Sequence, residues 1–184
     1  FHRYWPHQTL RNLWMLSQTV DPLRLRIEVL NNARNADKYK DDPLAPALYK
    51  PDTLFAIAMT ASPLGWFEVS NLQPEYAAQM RPLVAAWKAE RARMHGGAIV
   101  PVGDAPDGVT WTGFVSAAAD GKGGYALLFR ELNAQADYTL DLHGLVKSAS
   151  RATVLGGRGT AKLAGDALTV SVPEKLDFVW LKLE

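Results

Sequence analysis

Apolar positions change their spacing near Gly96, and that change divides the chain. Beyond it, apolar and polar residues alternate in short runs at 98–102, 110–116, 124–130, 138–142, 152–155, 160–163, 167–172 and 177–183. A repeat of two places successive side chains on opposite faces of a strand. Turn pairs punctuate the runs: Asp107-Gly108, Asp120-Gly121, His143-Gly144, Gly156-Gly157 and Gly165-Asp166. Short strands at this spacing predict a small antiparallel sandwich or barrel. Leu168-Val170-Val172 and Phe178-Trp180 are read as alternating with polar partners, so each strand is expected to keep one wet face.

Ahead of Gly96 the pattern mixes helix and strand. Leu10 to Leu16 reads as a helical turn or a short buried strand. Val20-Asp21-Pro22 is a helix start, with Asp21 as N-cap and Pro22 at the first helical position. The following Leu23-Arg24-Leu25-Arg26-Ile27-Glu28-Val29 alternates like a strand, yet Leu23, Ile27 and Leu30 also fall at helical spacing; the cap favours helix. The Pro-broken segment 38–46 is a loop. Pro51-Asp52-Thr53 begins a helix apolar almost all round, and Leu64-Gly65-Trp66-Phe67-Glu68-Val69 a short buried strand. Gln73-Pro74-Glu75 opens a long helix to about Met94, with Tyr76, Met80, Val84 and Trp87 as its inner stripe. Pro82 should kink or split it. This is α/β alternation with too few strands to close a sheet.

Composition narrows the classes. The 184 residues are 48% hydrophobic and 21% charged, as in globular proteins. No apolar run approaches the roughly 20 residues that cross a bilayer. Twenty basic and nineteen acidic residues, scattered along the chain, give no electrostatic reason to expect nucleic acid or an anionic membrane. With no cysteine there is no disulfide framework, thiol nucleophile or Cys-ligated metal. The compartment stays open, periplasmic and secreted locations included.

No phosphate fingerprint occurs, since Gly156-Gly157-Arg158-Gly159 lies between strands without the helix that phosphate capture needs. His2, His7, His95 and His143 lack metal-ligand spacing, and no cofactor motif is present. Serine catalysis has no nucleophile elbow. Carboxylates remain, because two of them flanking a scissile bond make a glycosidase. Asp37, Asp41, Asp42 and Glu68 fall near strand ends or loops, where barrel active sites are built. Each also reads as a solvated loop acid or a cap. Tryptophan suits sugar platforms as well as cores, and Trp111 and Tyr125 are candidates on the sandwich.

Two stretches carry a family resemblance. Leu54-Phe55-Ala56-Ile57-Ala58-Met59-Thr60-Ala61-Ser62-Pro63-Leu64-Gly65-Trp66-Phe67-Glu68-Val69-Ser70-Asn71-Leu72 resembles the last barrel helix and strand of melibiase-type α-galactosidases. Gly123-Gly124-Tyr125-Ala126-Leu127-Leu128-Phe129-Arg130-Glu131 resembles a strand of their C-terminal sandwich, and Trp111-Thr112-Gly113-Phe114 fits between them. The resemblance implies the C-terminal part of a (β/α)8 barrel over residues 1–96, followed by an antiparallel β-sandwich over 97–184. It implies retaining hydrolysis of terminal α-linked sugars, with Trp66 and Glu68 lining a substrate-binding sugar subsite. The nucleophile belongs to a middle barrel strand outside this sequence. Gln18, before Thr19-Val20-Asp21-Pro22, stands where the proton donor would, and glutamine delivers no proton. No catalytic residue is carried over.

The chain opens on Phe1-His2-Arg3-Tyr4-Trp5, without initiator methionine, charged leader or signal core. The expectation is therefore a C-terminal piece of a larger enzyme, inactive alone, whose partners are a carbohydrate substrate and the rest of the barrel or another chain. The alternative is a non-catalytic carbohydrate-binding or structural sandwich module.

Overall fold

Proline sets the start of each helix in the front half. The computed structural model describes residues 4–33, 36–67 and 72–184. Helix α1 (Pro6–Leu16), α2 (Pro51–Ala58) and α3 (Pro74–His95) each place a proline in the first turn. There its missing N–H costs nothing and its fixed φ suits the helix. Leu10 to Leu16 is thus helical.

The helix expected from Pro22 is corrected. Asp21 Oδ1 accepts the Leu23 N–H at 3.0 Å, as an N-cap should, but the element is a single 3-10 turn, Pro22–Arg24. Strand β1 (Arg26–Leu30) follows, and pairs in parallel with β2 (Ser62–Trp66). A cap specifies where a turn begins and not how long it runs; the alternating apolar pattern decided the rest. Strand β2 starts two residues before the predicted one, and its side chains are half-buried or exposed where burial was expected. The 38–46 loop is flanked by 3-10 turns at Ala36–Tyr39 and Pro46–Leu48.

Helix α3 runs unbroken through Pro82, which is exposed. On that side the carbonyl that loses its N–H partner faces water, while Tyr76, Met80, Leu83 and Trp87 hold the opposite side in the core. Leu83, and not Val84, completes the buried stripe.

The rear half forms two antiparallel sheets. Strands β3 (Ala98–Gly103), β4 (Trp111–Ala117), β5 (Gly124–Arg130), β10 (Asp177–Leu183) and β7 (Ala152–Gly157) lie in that order. Strands β6 (Asp137–Asp141), β9 (Ala167–Ser171) and β8 (Thr160–Ala164) make the second sheet. Val115, Ala126, Leu128, Val179 and Leu181 pack across from Leu140, Leu168 and Val170 in one apolar layer. Phe114, Tyr125, Leu127, Phe129, Phe178 and Trp180 point the other way and join Leu54, Ile57, Met80, Leu83 and Trp87 of the helices. The central strands are therefore buried on both faces, contrary to the wet face expected of the 177–183 strand. The exposed Thr169 between buried Leu168 and Val170 shows that the outer sheet does keep one.

The apolar sides of α2 and α3 are thus covered by the five-stranded sheet. Polar contacts cross the same boundary. Trp14 Nε1 donates to Val102 O at 3.1 Å, Ser116 Oγ to Met94 O at 2.6 Å, and Tyr125 Oη to Glu90 Oε2 at 2.6 Å. Among the described residues the parallel sheet has two strands and no barrel closes. No described helix is long and apolar enough to cross a membrane.

Glu131, just past β5, organises the 107–110 loop. Its Oε2 accepts the N–H groups of Asp107, Gly108 and Thr110 and the Thr110 hydroxyl, at 2.9–3.4 Å. Burial pushes its pKa above the ordinary 4.5, against the downward pull of those hydrogen bonds. Between 4.5 and the raised value the folded state binds more protons than the unfolded chain, so this group's contribution to stability falls as pH rises through that window. Glu131→Gln keeps an oxygen acceptor and cannot ionise. Its urea midpoint, relative to the parent's, should rise from pH 4.5 toward neutrality; a constant difference would refute this account.

Candidate functional site

Parallel strands carry functional groups at their carboxyl ends, and here those ends meet at Leu30 and Trp66, which are register partners. Side chains alternate along β1. Ile27 and Val29 pack toward the main core, leaving Arg26, Glu28 and Leu30 on the opposite face beside Leu64 and Trp66. Trp66 is 50% exposed, unusual for so large a ring. Tyr76 Oη donates to Leu30 O at 2.9 Å, and Phe67 meets the Tyr76 ring edge-on at 5.5 Å, so α3 fixes this end of the pair. Asn32 donates from Nδ2 to Pro46 O and Tyr49 O at 3.0 and 2.7 Å, holding the incoming loop in place.

A cleft of about 290 Å³ adjoins the same face, between α1 and β1. Tyr4, Trp5, Gln8, Asn12, Glu28 and Leu30 line it. Gln8 and Asn12 are four residues apart on one helical face, which aims two amides at the Glu28 carboxylate side. Aromatic rings beside amides and a carboxylate are the chemistry of a sugar subsite: a flat ring for C–H groups and paired donors and acceptors for hydroxyls. One carboxylate can bind a hydroxyl, or act as one half of an acid–base pair whose other half lies elsewhere.

The structure sorts the sequence candidates. Trp66 stands at the carboxyl end of β2, and Glu68 lies outside the described residues. Asp37, Asp41 and Asp42 are exposed on the 36–45 segment, none of them lines the cleft, and Asp42 Oδ1 accepts the Leu44 N–H at 2.8 Å as a turn residue. Gln18 sits exposed in the turn between α1 and the 3-10 turn at Pro22–Arg24. Trp111 and Tyr125 are 4% and 1% exposed. Trp111 stacks on Tyr138 at 5.3 Å and donates Nε1 to Gln135 O, and neither ring offers a platform. The cleft residues Gln8, Asn12 and Glu28 were not picked from the sequence. The only signal was the polar spacing on α1, which a solvated helix face shares. Among the described residues, no cluster of three or more His, Asp or Glu is placed to hold a metal.

No family model, curated protein or solved structure matches the chain.

Proposed function

We propose that this chain is the C-terminal portion of a retaining glycoside hydrolase resembling α-galactosidases, acting on terminal α-linked sugars. One observation carries the reading. β1, α2 and β2 make a parallel β-α-β unit with one face packed in the core; on the other face Glu28, Leu30 and Leu64 are half-buried, Trp66 is exposed, and the cleft beside α1 opens. Parallel sheets are normally covered on both faces, and a two-stranded one has little stability of its own. Such a unit is the repeat of a (β/α)8 barrel, and in this reading its half-open face is the barrel interior. In this reading 1–96 supplies the last staves, 97–184 supports them as a structural sandwich, and the catalytic carboxylates come from earlier strands. The chain's own share is a wall of the sugar site, with Trp66 stacking on the ring and Glu28 binding a hydroxyl.

Purified 184-residue chain is expected to show no turnover of an aryl α-galactoside. The parent enzyme is expected to release the sugar with retained anomeric configuration by proton NMR, and Trp66→Ala in it to lower kcat/KM roughly tenfold, the worth of one ring contact. Hydrolysis by the chain alone would defeat the incomplete-barrel reading. Inversion, or no α-galactosidase activity in the parent, would defeat the family reading.

A further inference from the structure

Three residues that line one small cavity each carry a buried polar atom without a hydrogen-bond partner among the described residues. The atoms are Nδ1 of His7 on α1, the hydroxyl of Tyr49 just ahead of α2, and Oε1 of Glu131 past β5. Tyr49 and Glu131 are 6% and 3% exposed, and all three atoms are shut off from solvent. The cavity holds about 10 Å³, and Leu10, Ile57, Phe129 and Leu176 close its apolar sides. A bare buried polar atom costs about 1–3 kcal/mol, so three around one void is an arrangement that folding would not retain without something between them.

We infer that this cavity is a binding site for one internal water molecule, held by His7, Tyr49 and Glu131. The volume is that of a single water, which needs about 10–15 Å³ and usually makes about three hydrogen bonds. The donor and acceptor balance closes. Water donates one hydrogen to Glu131 Oε1 and the other to His7 Nδ1, and accepts the Tyr49 O–H. The His7 ring is then uncharged with its hydrogen on Nε2, in keeping with the burial that lowers its pKa against the opposing pull of Asp42. Thr53, Arg130 and Asp177 also line the cavity, but among the described residues no group of three or more His, Asp or Glu is placed to hold a metal ion. The water pins three segments at once: α1, the approach to α2, and the edge of the five-stranded sheet. This inference is independent of the glycosidase reading.

A high-resolution crystal structure of the chain is expected to show one density peak within about 2.6–3.2 Å of all three atoms. Tyr49→Phe removes only the hydroxyl, and oxygen-17 relaxation dispersion should then count one long-lived water fewer than in the parent. A cavity without density, a Tyr49 hydroxyl bonded straight to Glu131, or a dispersion profile unchanged by Tyr49→Phe would overturn the site.

Discussion

Replacing Arg158 with methionine is expected to lower the thermal unfolding midpoint by about 6–12 °C, the equivalent of about 3 kcal/mol in a chain of this size. Arg158 lies between β7 and β8 and reaches back to the start of α2. Its Nη1 and Nη2 donate to the two oxygens of Asp52 at 2.6 and 2.9 Å, while Nε and Nη2 bind Asp177, at the start of β10. Lys50 adds a bond to Asp177 at 2.9 Å and another to Glu174. The Asp177 carboxylate is wholly buried. Removing the guanidinium leaves it with Lys50 and the Phe178 N–H alone, and breaking a buried pair costs more than the pair contributes. The Arg158 side chain is itself 37% exposed, which lets water offset part of the loss and sets the estimate at the low end. Arg93 and Asp120 form an ion pair in the open, at 2.8 and 3.4 Å, and serve as the comparison. Exposed pairs are screened by water and salt. Calorimetry should find Arg158→Met far more damaging than Arg93→Met, and little relieved by salt. Equal effects would mean that the buried cluster holds nothing together.

That cluster shows where sequence reading stops. Asp52 and Arg158 stand 106 positions apart, and no local pattern joins them. The rear strands were legible because period and turn chemistry agree there. Gly108 and Gly121 take φ values of 95° and 72°, which their Asp-Gly pairs announce. The predicted bounds of 124–130 and 177–183 coincide with β5 and β10. The double burial of β10 was not legible, because Val179 and Leu181 read the same whether a second sheet or water lies beneath. At 23–29 two local signals competed, and a strand pairing 36 residues away settled the matter. Trp66 could be picked out as a large ring at a strand end. Gln8, Asn12 and Glu28 could not, because only tertiary packing turns a polar helix face into the wall of a cleft.

Arg130 should prove at least as sensitive as Arg158, with Arg130→Met losing about 3–5 kcal/mol. It ends β5 and is 5% exposed. Its guanidinium donates to four main-chain carbonyls: Asn133 and Ala134 on one side, Val172 and Pro173 on the other, at 2.7–3.1 Å. No element of secondary structure satisfies those oxygens, so the side chain takes the place of a strand and fastens two loops beneath the sheet. Methionine fills similar volume and bonds none of them. Lysine keeps the charge, but its single nitrogen cannot span carbonyls on both sides as a planar fork does. Arg130→Lys is therefore expected to recover little. In the lysine variant, amide exchange should quicken first at Val172 and Leu176, whose N–H groups bond Ala136 and Glu131 across the same loops. If lysine restored the full midpoint, charge alone would account for Arg130. If exchange quickened uniformly, the loss would belong to the whole fold; a response confined to the two loops can arise only where one side chain supplies their hydrogen bonds.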